Sequence, residues 1–258
     1  MSGALAGLGV VITRPRPAGE ALAAALAREG ALPFVFPALA IEDLPPSEAL
    51  EIALARLGNA SLAIFVSANA VHKGLAASQR HGAWPPRVRV AAIGEATAEA
   101  LRTAGFAQVI SPTERHDSEA LLALPGLQRE CVRGTSIVVF RGEGGREHLK
   151  ERLEERDAKV TYAECYRRMR PVTDAAFLLE AWARGEVHAV SVLSAETLEN
   201  FVAMVGAQGA SRLGTAALVV PHAAIGAHRD ARHFSHVLVA PHGTPGLVDT
   251  LAQLRAHT

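Results

Sequence analysis

The chain has 258 residues, and its 26 lysines and arginines are balanced by 26 aspartates and glutamates, which excludes a general nucleic-acid binder with a strongly basic face. Apolar residues make up 49%, enough for a full core in one large domain or two ordinary ones. Two cysteines without a C-x-x-C spacing, Cys131 and Cys165, fit a reducing compartment with neither a disulfide framework nor a zinc ribbon.

The opening MSGALAGLGVVITRP lacks the basic start and long apolar core of a secretory signal, and no apolar run nears the roughly 20 residues that span a bilayer. A cytoplasmic protein with no membrane partner is expected. In chain order, β-rich apolar runs read as strands at VVIT (10–13), LAIFV (62–66), VRVAAI (88–93), SIVVF (136–140), HAVSVL (188–193), AALVV (216–220) and HVLVA (236–240). Helical patterns lie between them. Leu22 and Leu26, like Leu149 and Leu153, sit four apart on one helix face. Thr244 before Pro245 reads as the N-cap and first turn of a last helix, with Leu247, Leu251 and Leu254 facing the core. The alternation predicts an α/β protein with parallel sheets covered by helices.

A repeat is visible in the spacing. Arg14 and Arg141, Leu22 and Leu149, Leu26 and Leu153, Ser67 and Ser194, and Gly94 and Pro221 each stand 127 positions apart; Phe106 and Phe234 stand 128 apart. Any α/β protein repeats strand, turn and helix, but a nearly constant offset over two-thirds of the chain predicts a duplication. The equivalent segments 33–41 and 159–170 are both extended and each follows a helix. They are expected to pair antiparallel as a two-stranded connector between two similar α/β lobes. Residues 1–32 with 171–258 would form one lobe and residues 42–158 the other. A simple split near Gly126 is the alternative.

The turn in AAIGEATAEAL (91–101) follows a strand and opens a helix, the place where α/β proteins hold anions. Yet it has neither G-x-G-x-x-G nor a lysine-bearing phosphate loop, and GEGG at 142–145 lacks the following Lys-Ser/Thr. The C-terminal histidines His222, His228, His233, His236 and His242 show no H-E-x-x-H. Neither a cofactor nor a metal is expected.

The ordered set V-I-T-R-P (11–15), F-V-S-A-N-A-V (65–71), A-I-G-E-A-T-A-E-A-L (92–101) with Gly105-Phe106, F-R-G-E-G-G-R (140–146), C-Y-R-R around Tyr166 and L-S-A-E-T-L (193–198) resembles the uroporphyrinogen-III synthase family across nearly the whole chain. The resemblance implies two α/β lobes joined by a two-stranded connector. It also implies a cofactor-free lyase whose substrate is hydroxymethylbilane, a linear tetrapyrrole with eight carboxylates. Loss of the terminal hydroxyl gives an azafulvene. The enzyme directs attack onto the substituted carbon of the last ring; a spiro intermediate fragments and recloses with that ring inverted. A monomer with hinged lobes closing on a flexible ligand suits such chemistry, whose demands are mostly geometric.

Under that implication, amides at helix N-termini hold carboxylates. Ser67 with Ala68 and Asn69, Gly94 with Thr97, Ser194 with Ala195, Arg14, Arg141 with Gly142, and His222 are the expected substrate contacts. Tyr166 is the expected acid, donating a hydrogen bond to the leaving hydroxyl. Each has a second reading. Ser67, Thr97 and Ser194 serve equally as helix caps, Gly94 permits close strand–helix packing, the arginines suit surface ion pairs, and Tyr166 suits ring packing. Two other functions fit the same residues: a non-catalytic module that binds an anionic metabolite, and a nucleotide-dependent transferase, which the missing fingerprints disfavour.

Overall fold

The structure, a computed structural model, describes residues 3–45, 47–115, 117–241 and 243–256; His242 therefore lies outside the described residues. The described strands are β1 (Gly9–Ile12), β2 (Leu32–Val35), β3 (Ala40–Asp43), β4 (Leu62–Phe65), β5 (Arg89–Ala92), β6 (Val109–Ile110), β7 (Ser136–Gly142), β8 (Lys159–Met169), β9 (Ala189–Ser191), β10 (Ala217–Val220) and β11 (Val237–Val239). The chain divides into two units, residues 1–40 with 169–258, and residues 41–168.

In the first unit five strands lie in the order β11-β10-β9-β1-β2, all parallel. The second unit has the order β3-β8-β7-β4-β5-β6, parallel from β8 to β6. A parallel sheet is covered on both faces, so its strands are apolar at successive positions rather than at alternate ones. GVVI of β1 and LAIF of β4 are buried at every position. Alternation survives in where each side chain goes. In β1, Val11 joins one core layer with Trp182, Leu198 and Phe201, while Val10 and Ile12 join the other with Leu22, Leu26 and Leu251. In β4, Ala63 and Phe65 pack with Leu54 and Val71, and Leu62 and Ile64 with Leu121, Leu149 and Leu153. Leu247, Leu251 and Leu254 are buried as their spacing predicts.

The duplication reaches the strand register. Val10 lies opposite Ala189 and Pro33; 127 positions away in each direction, Ile137 lies opposite Leu62 and Val160. Between β9 and β10 the offset becomes 128: Ala189 faces Ala217, whereas Leu62 faces Arg89. The first unit therefore carries one extra residue before β10. This corrects one expected equivalence: the counterpart of Gly94 is His222, not Pro221, and both are helix N-caps.

Residues 33–41 do not form one strand. Their first part is the end of β2, at the edge of the first sheet, and their last part opens β3, which lies beside β8 at the edge of the second. Each extended stretch thus satisfies its backbone groups by joining a sheet. The last helix is Gly243–Ala256, with Gly243 at φ +90°, so Thr244 and Pro245 both fall in its first turn. Among the described residues no helix is long and apolar enough to cross a membrane.

The second unit is built on an aromatic stack. The rings of Phe65 and Phe140 lie 4.6 Å apart and nearly parallel, with Trp84 about 6 Å from both. Gly74, in the Ala68–Gln79 helix, leaves room for this stack: a Cβ there would come within 2.5 Å of the Phe140 ring. Gly74→Ala should therefore destabilise the protein. The helix-propensity gain of about 1 kcal/mol is outweighed by overpacking of about 1–3 kcal/mol, because the ring is pinned by its stacked neighbour. Urea denaturation measures the net loss; a variant as stable as the parent would show that the stack yields.

Candidate functional site

In both units the sheet order reverses beside the central pair of strands, β1 with β9 and β7 with β4. Ligands of α/β proteins bind at the carboxyl ends of strands flanking such a reversal. Ser67 follows β4, Gly94 follows β5, and Arg141 and Gly142 end β7, so these residues share one edge of the second unit.

Ser67 is extended and caps the Ala68–Gln79 helix, its Oγ accepting from the Ala70 amide at 3.0 Å. The first amides of that helix, Ala68 and Asn69, have no partner within it. The Ser67 Oγ also lies 2.9 Å from the Tyr166 hydroxyl. Tyr166 is 1% exposed. It is aimed by a bulge: Arg141 faces Glu164 but Gly142 faces Tyr166, leaving Cys165 as the extra residue. Bulges re-aim side chains in this way. The ring then lies on Gly142, where a Cβ would approach it to 2.7 Å, and the Glu143 amide donates to the Tyr166 carbonyl. Burial pushes the Cys165 thiol up to about 12, which keeps it a protonated packing group.

Gly94 caps the Glu95–Thr103 helix with no side-chain bond; the Thr97 amide donates to the Gly94 carbonyl at 3.1 Å, and the Glu95 and Ala96 amides have no partner within the helix. Glu95 stands at this N-terminus, and Arg102 holds its carboxylate at 2.7 Å. Thr97 is buried with Ala98 and Leu101 on the packed face of the helix, as their spacing dictates.

The Arg141 guanidinium is committed to its own loop. Its side chain is 4% exposed, with Nη1 3.0 Å from Glu147 and Nε donating to the Gly142 carbonyl at 3.2 Å. Glu164 lies 3.7 Å away, and the Tyr162 ring lies 4.2 Å beneath the guanidinium. Desolvation of Tyr162 outweighs the nearby cation and pushes its phenol up to about 12.

In the first unit, Ser194 caps the Ala195–Ala210 helix, accepting from the Thr197 amide at 3.1 Å. Its hydroxyl has a second partner in Thr197 Oγ1, at 2.8 Å. Position 197 corresponds to Ala70, so the local threonine replaces the distant tyrosine. His222 is exposed and caps a helix of only four residues, Ala223–Gly226, too short for a developed terminal dipole. Arg14 follows β1 beside a small pocket at the ends of β9, β10 and β11. Burial lowers its pKa.

The structure thus brings Ser67, Ala68, Asn69, Gly94, Gly142 and Tyr166 to one edge of the second unit, and Arg14, Ser194, Ala195 and His222 to the corresponding edge of the first. Among the described residues no group of histidine, cysteine and carboxylate side chains could hold a metal. The Ser67–Tyr166 pair is not legible from spacing, since 99 residues separate the two hydroxyls. Gly142, which the ring needs, was its one local sign.

A sequence profile described as "Uroporphyrinogen-III synthase HemD" matches residues 20–248. A uroporphyrinogen-III synthase of Escherichia coli (strain K12) is 36% identical over 203 residues, 77% of this chain and 80% of that one. One from Salmonella typhimurium is 39% identical over 196 residues, 74% and 78% of the two chains. The crystal structure of a mutant uroporphyrinogen III synthase from the extremely thermophilic bacterium Thermus thermophilus covers 97% of this chain and 100% of its own at a TM-score of 0.60 and 18% identity, which is a likeness of fold.

The shared hydroxyl pair makes a double-mutant cycle informative. Ser67→Ala removes a cap worth about 1 kcal/mol and leaves the buried Tyr166 hydroxyl unpaired, at about 1–3 kcal/mol more. Adding Tyr166→Phe removes that orphan. The double variant should lose less stability than the sum of the singles, with a coupling of at least about 0.5 kcal/mol in urea titrations. Strict additivity would mean that the pair carries no energy.

Proposed function

The chain belongs to the uroporphyrinogen-III synthase family, and we propose that it converts hydroxymethylbilane to uroporphyrinogen III by the route that defines such an enzyme. The terminal C–OH bond breaks with protonation of the leaving hydroxyl, giving water and an azafulvene. The substituted carbon of the last ring attacks the azafulvene methylene, forming the spiro intermediate. Fragmentation and reclosure through the other carbon invert that ring, and loss of a proton restores the pyrrole. No electrons are exchanged with a second reactant.

Within this reading the protein's work is to hold a flexible octa-anion in one pose, and orientation of this kind can supply about 7–11 kcal/mol. A chain with no net charge does so with aimed amides rather than a basic patch. We assign carboxylate contacts to the helix starts at Ala68 and Asn69, after Gly94, and at Ala195, with the hydroxyl of Ser194 beside them. The observation that carries the assignment of the acid is the 2.9 Å pair of hydroxyls. Either hydroxyl can donate in this pair; we assign the donor role to Tyr166, which leaves the Ser67 proton available to the leaving hydroxyl. Because the phenol is buried, it acts through Ser67 and so positions and polarises that donor. Assistance of this kind is worth roughly 100-fold or more in rate.

Two measurements test the reading. With hydroxymethylbilane generated in situ, and the products oxidised and separated, wild-type protein should give the type III isomer; the type I isomer alone would favour a non-catalytic anion-binding module. Tyr166→Phe should keep its fold, by circular dichroism, and lower kcat by about 100-fold with KM within a few-fold, and Ser67→Ala should not add to that loss. Wild-type turnover by Tyr166→Phe would remove the tyrosine from the mechanism.

A further inference from the structure

Among the described residues, two buried side-chain nitrogens lack a hydrogen-bond partner: Arg14 Nε and Arg141 Nη2. They belong to the arginines that the duplication makes equivalent. The surroundings of the two have diverged. Arg141 is neutralised by Glu147 and Glu164 and stacked on Tyr162. At the matching positions, 127 residues earlier, stand Glu20, Pro37 and Val35. Proline and valine offer no charge, and Glu20 is drawn to Arg16 instead. Among the described residues Arg14 has neither a hydrogen bond nor an ion pair from its side chain.

Arg14 is half-buried with its Nε enclosed, and a guanidinium cannot shed its proton, so partial burial without a counter-charge costs free energy. The direction of the Arg14 shift, downward through desolvation, records that cost. Beside it lies a pocket of about 80 Å³ lined by Ser191, Val192, Val219, Pro221, Pro241 and Leu247. Ligand pockets for drug-sized molecules run to about 300–1,000 Å³, so this one has room for a single small group such as a carboxylate side arm, and its one charged lining residue favours an anion. Arg14 is the sole charged group among its described lining residues. Arg141 has no comparable space: a Cβ on Gly145 would lie 2.3 Å from Nη2, so the loop backbone closes directly over it.

We propose that Arg14 and its pocket form a subsite for one side-arm carboxylate of the substrate, and that its duplicate Arg141 fixes a loop and binds no ligand. The identity of the molecule bearing the carboxylate rests on the functional reading above; the divergence of the two arginines does not. In the first unit the one matching carboxylate, Glu20, is paired with Arg16 and the other position is a proline, whereas in the second unit both carboxylates face the arginine.

The test pairs a binding readout with kinetics and melting. Uroporphyrin III, the stable oxidised product with its eight carboxylates, is titrated into 15N-arginine-labelled protein while the Arg14 Nε–H resonance, identified by its absence in Arg14→Gln, is followed. The resonance should move downfield and saturate. Arg14→Gln should raise KM for hydroxymethylbilane about tenfold, by more than kcat falls, and Arg14→Lys should recover part of it. Arg14→Gln should melt no lower than the wild type, having lost no internal partner, whereas Arg141→Gln should melt lower. A stationary resonance, an unchanged KM in Arg14→Gln, or a lowered melting point for that variant would overturn the subsite. Should wild-type protein give only the type I isomer while the resonance still moves, the functional reading fails and the subsite stands; type III product with a stationary resonance fails the subsite alone.

Discussion

The pairing of two fully buried parallel strands, β1 on β9 in one unit and β7 on β4 in the other, is the constraint on which the remaining structure rests. Both faces of each sheet are covered, so neighbouring residues on a strand feed different core layers and no register slip is tolerated. With register fixed, the turns that leave these strands at their carboxyl ends diverge to opposite sides of the sheet. The polar residues in those turns are therefore carried by the most rigid part of each unit, although they lie in loops.

Duplication supplied two copies of this arrangement, and their differences are chemical rather than architectural. Ser67 and Ser194 cap helices in the same way, but the second bond of each hydroxyl goes elsewhere: across the fold to Tyr166 in one copy, three residues along the helix to Thr197 in the other. Leu39 stands where the first copy would need a tyrosine. The arginines at the ends of β1 and β7 diverge in the opposite sense, one enclosed by anions and the other left without them. Each unit thus carries one polar arrangement that the other lacks.

The proposed function is compatible with a chain of no net charge. A helix start presents several oriented N–H groups without adding a formal charge, and its direction is set by the strand before it. Lysine patches would bind an octa-anion in many poses. Under the function proposed above, amides fixed by strand and cap would bind it in few, and the position of attack on the last ring would depend on pose.

Much of this was legible beforehand. Apolar runs marked seven strands, most of them because burial on both faces demands uninterrupted apolar sequence, although the edge strand β11 is largely exposed, and the 127-residue offset disclosed the duplication because equivalent cores need equivalent spacing. The short β6, with two residues, left no such trace. Gly94 was matched one residue too early because an insertion between buried strands does not show in composition. The resemblance to the uroporphyrinogen-III synthases rested on the order of weak motifs, each of which turned out to lie at a strand end or a helix start. What the sequence by itself determined was the set of strands, the cores they build and the edge at which polar residues gather, since these depend on local pattern and burial. Only the tertiary structure decided which of two equivalent arginines is neutralised and which hydroxyl meets Ser67. Those outcomes depend on groups brought together from distant positions, where an atom's partner is set by a bulge, a glycine or a missing carboxylate on a neighbouring strand.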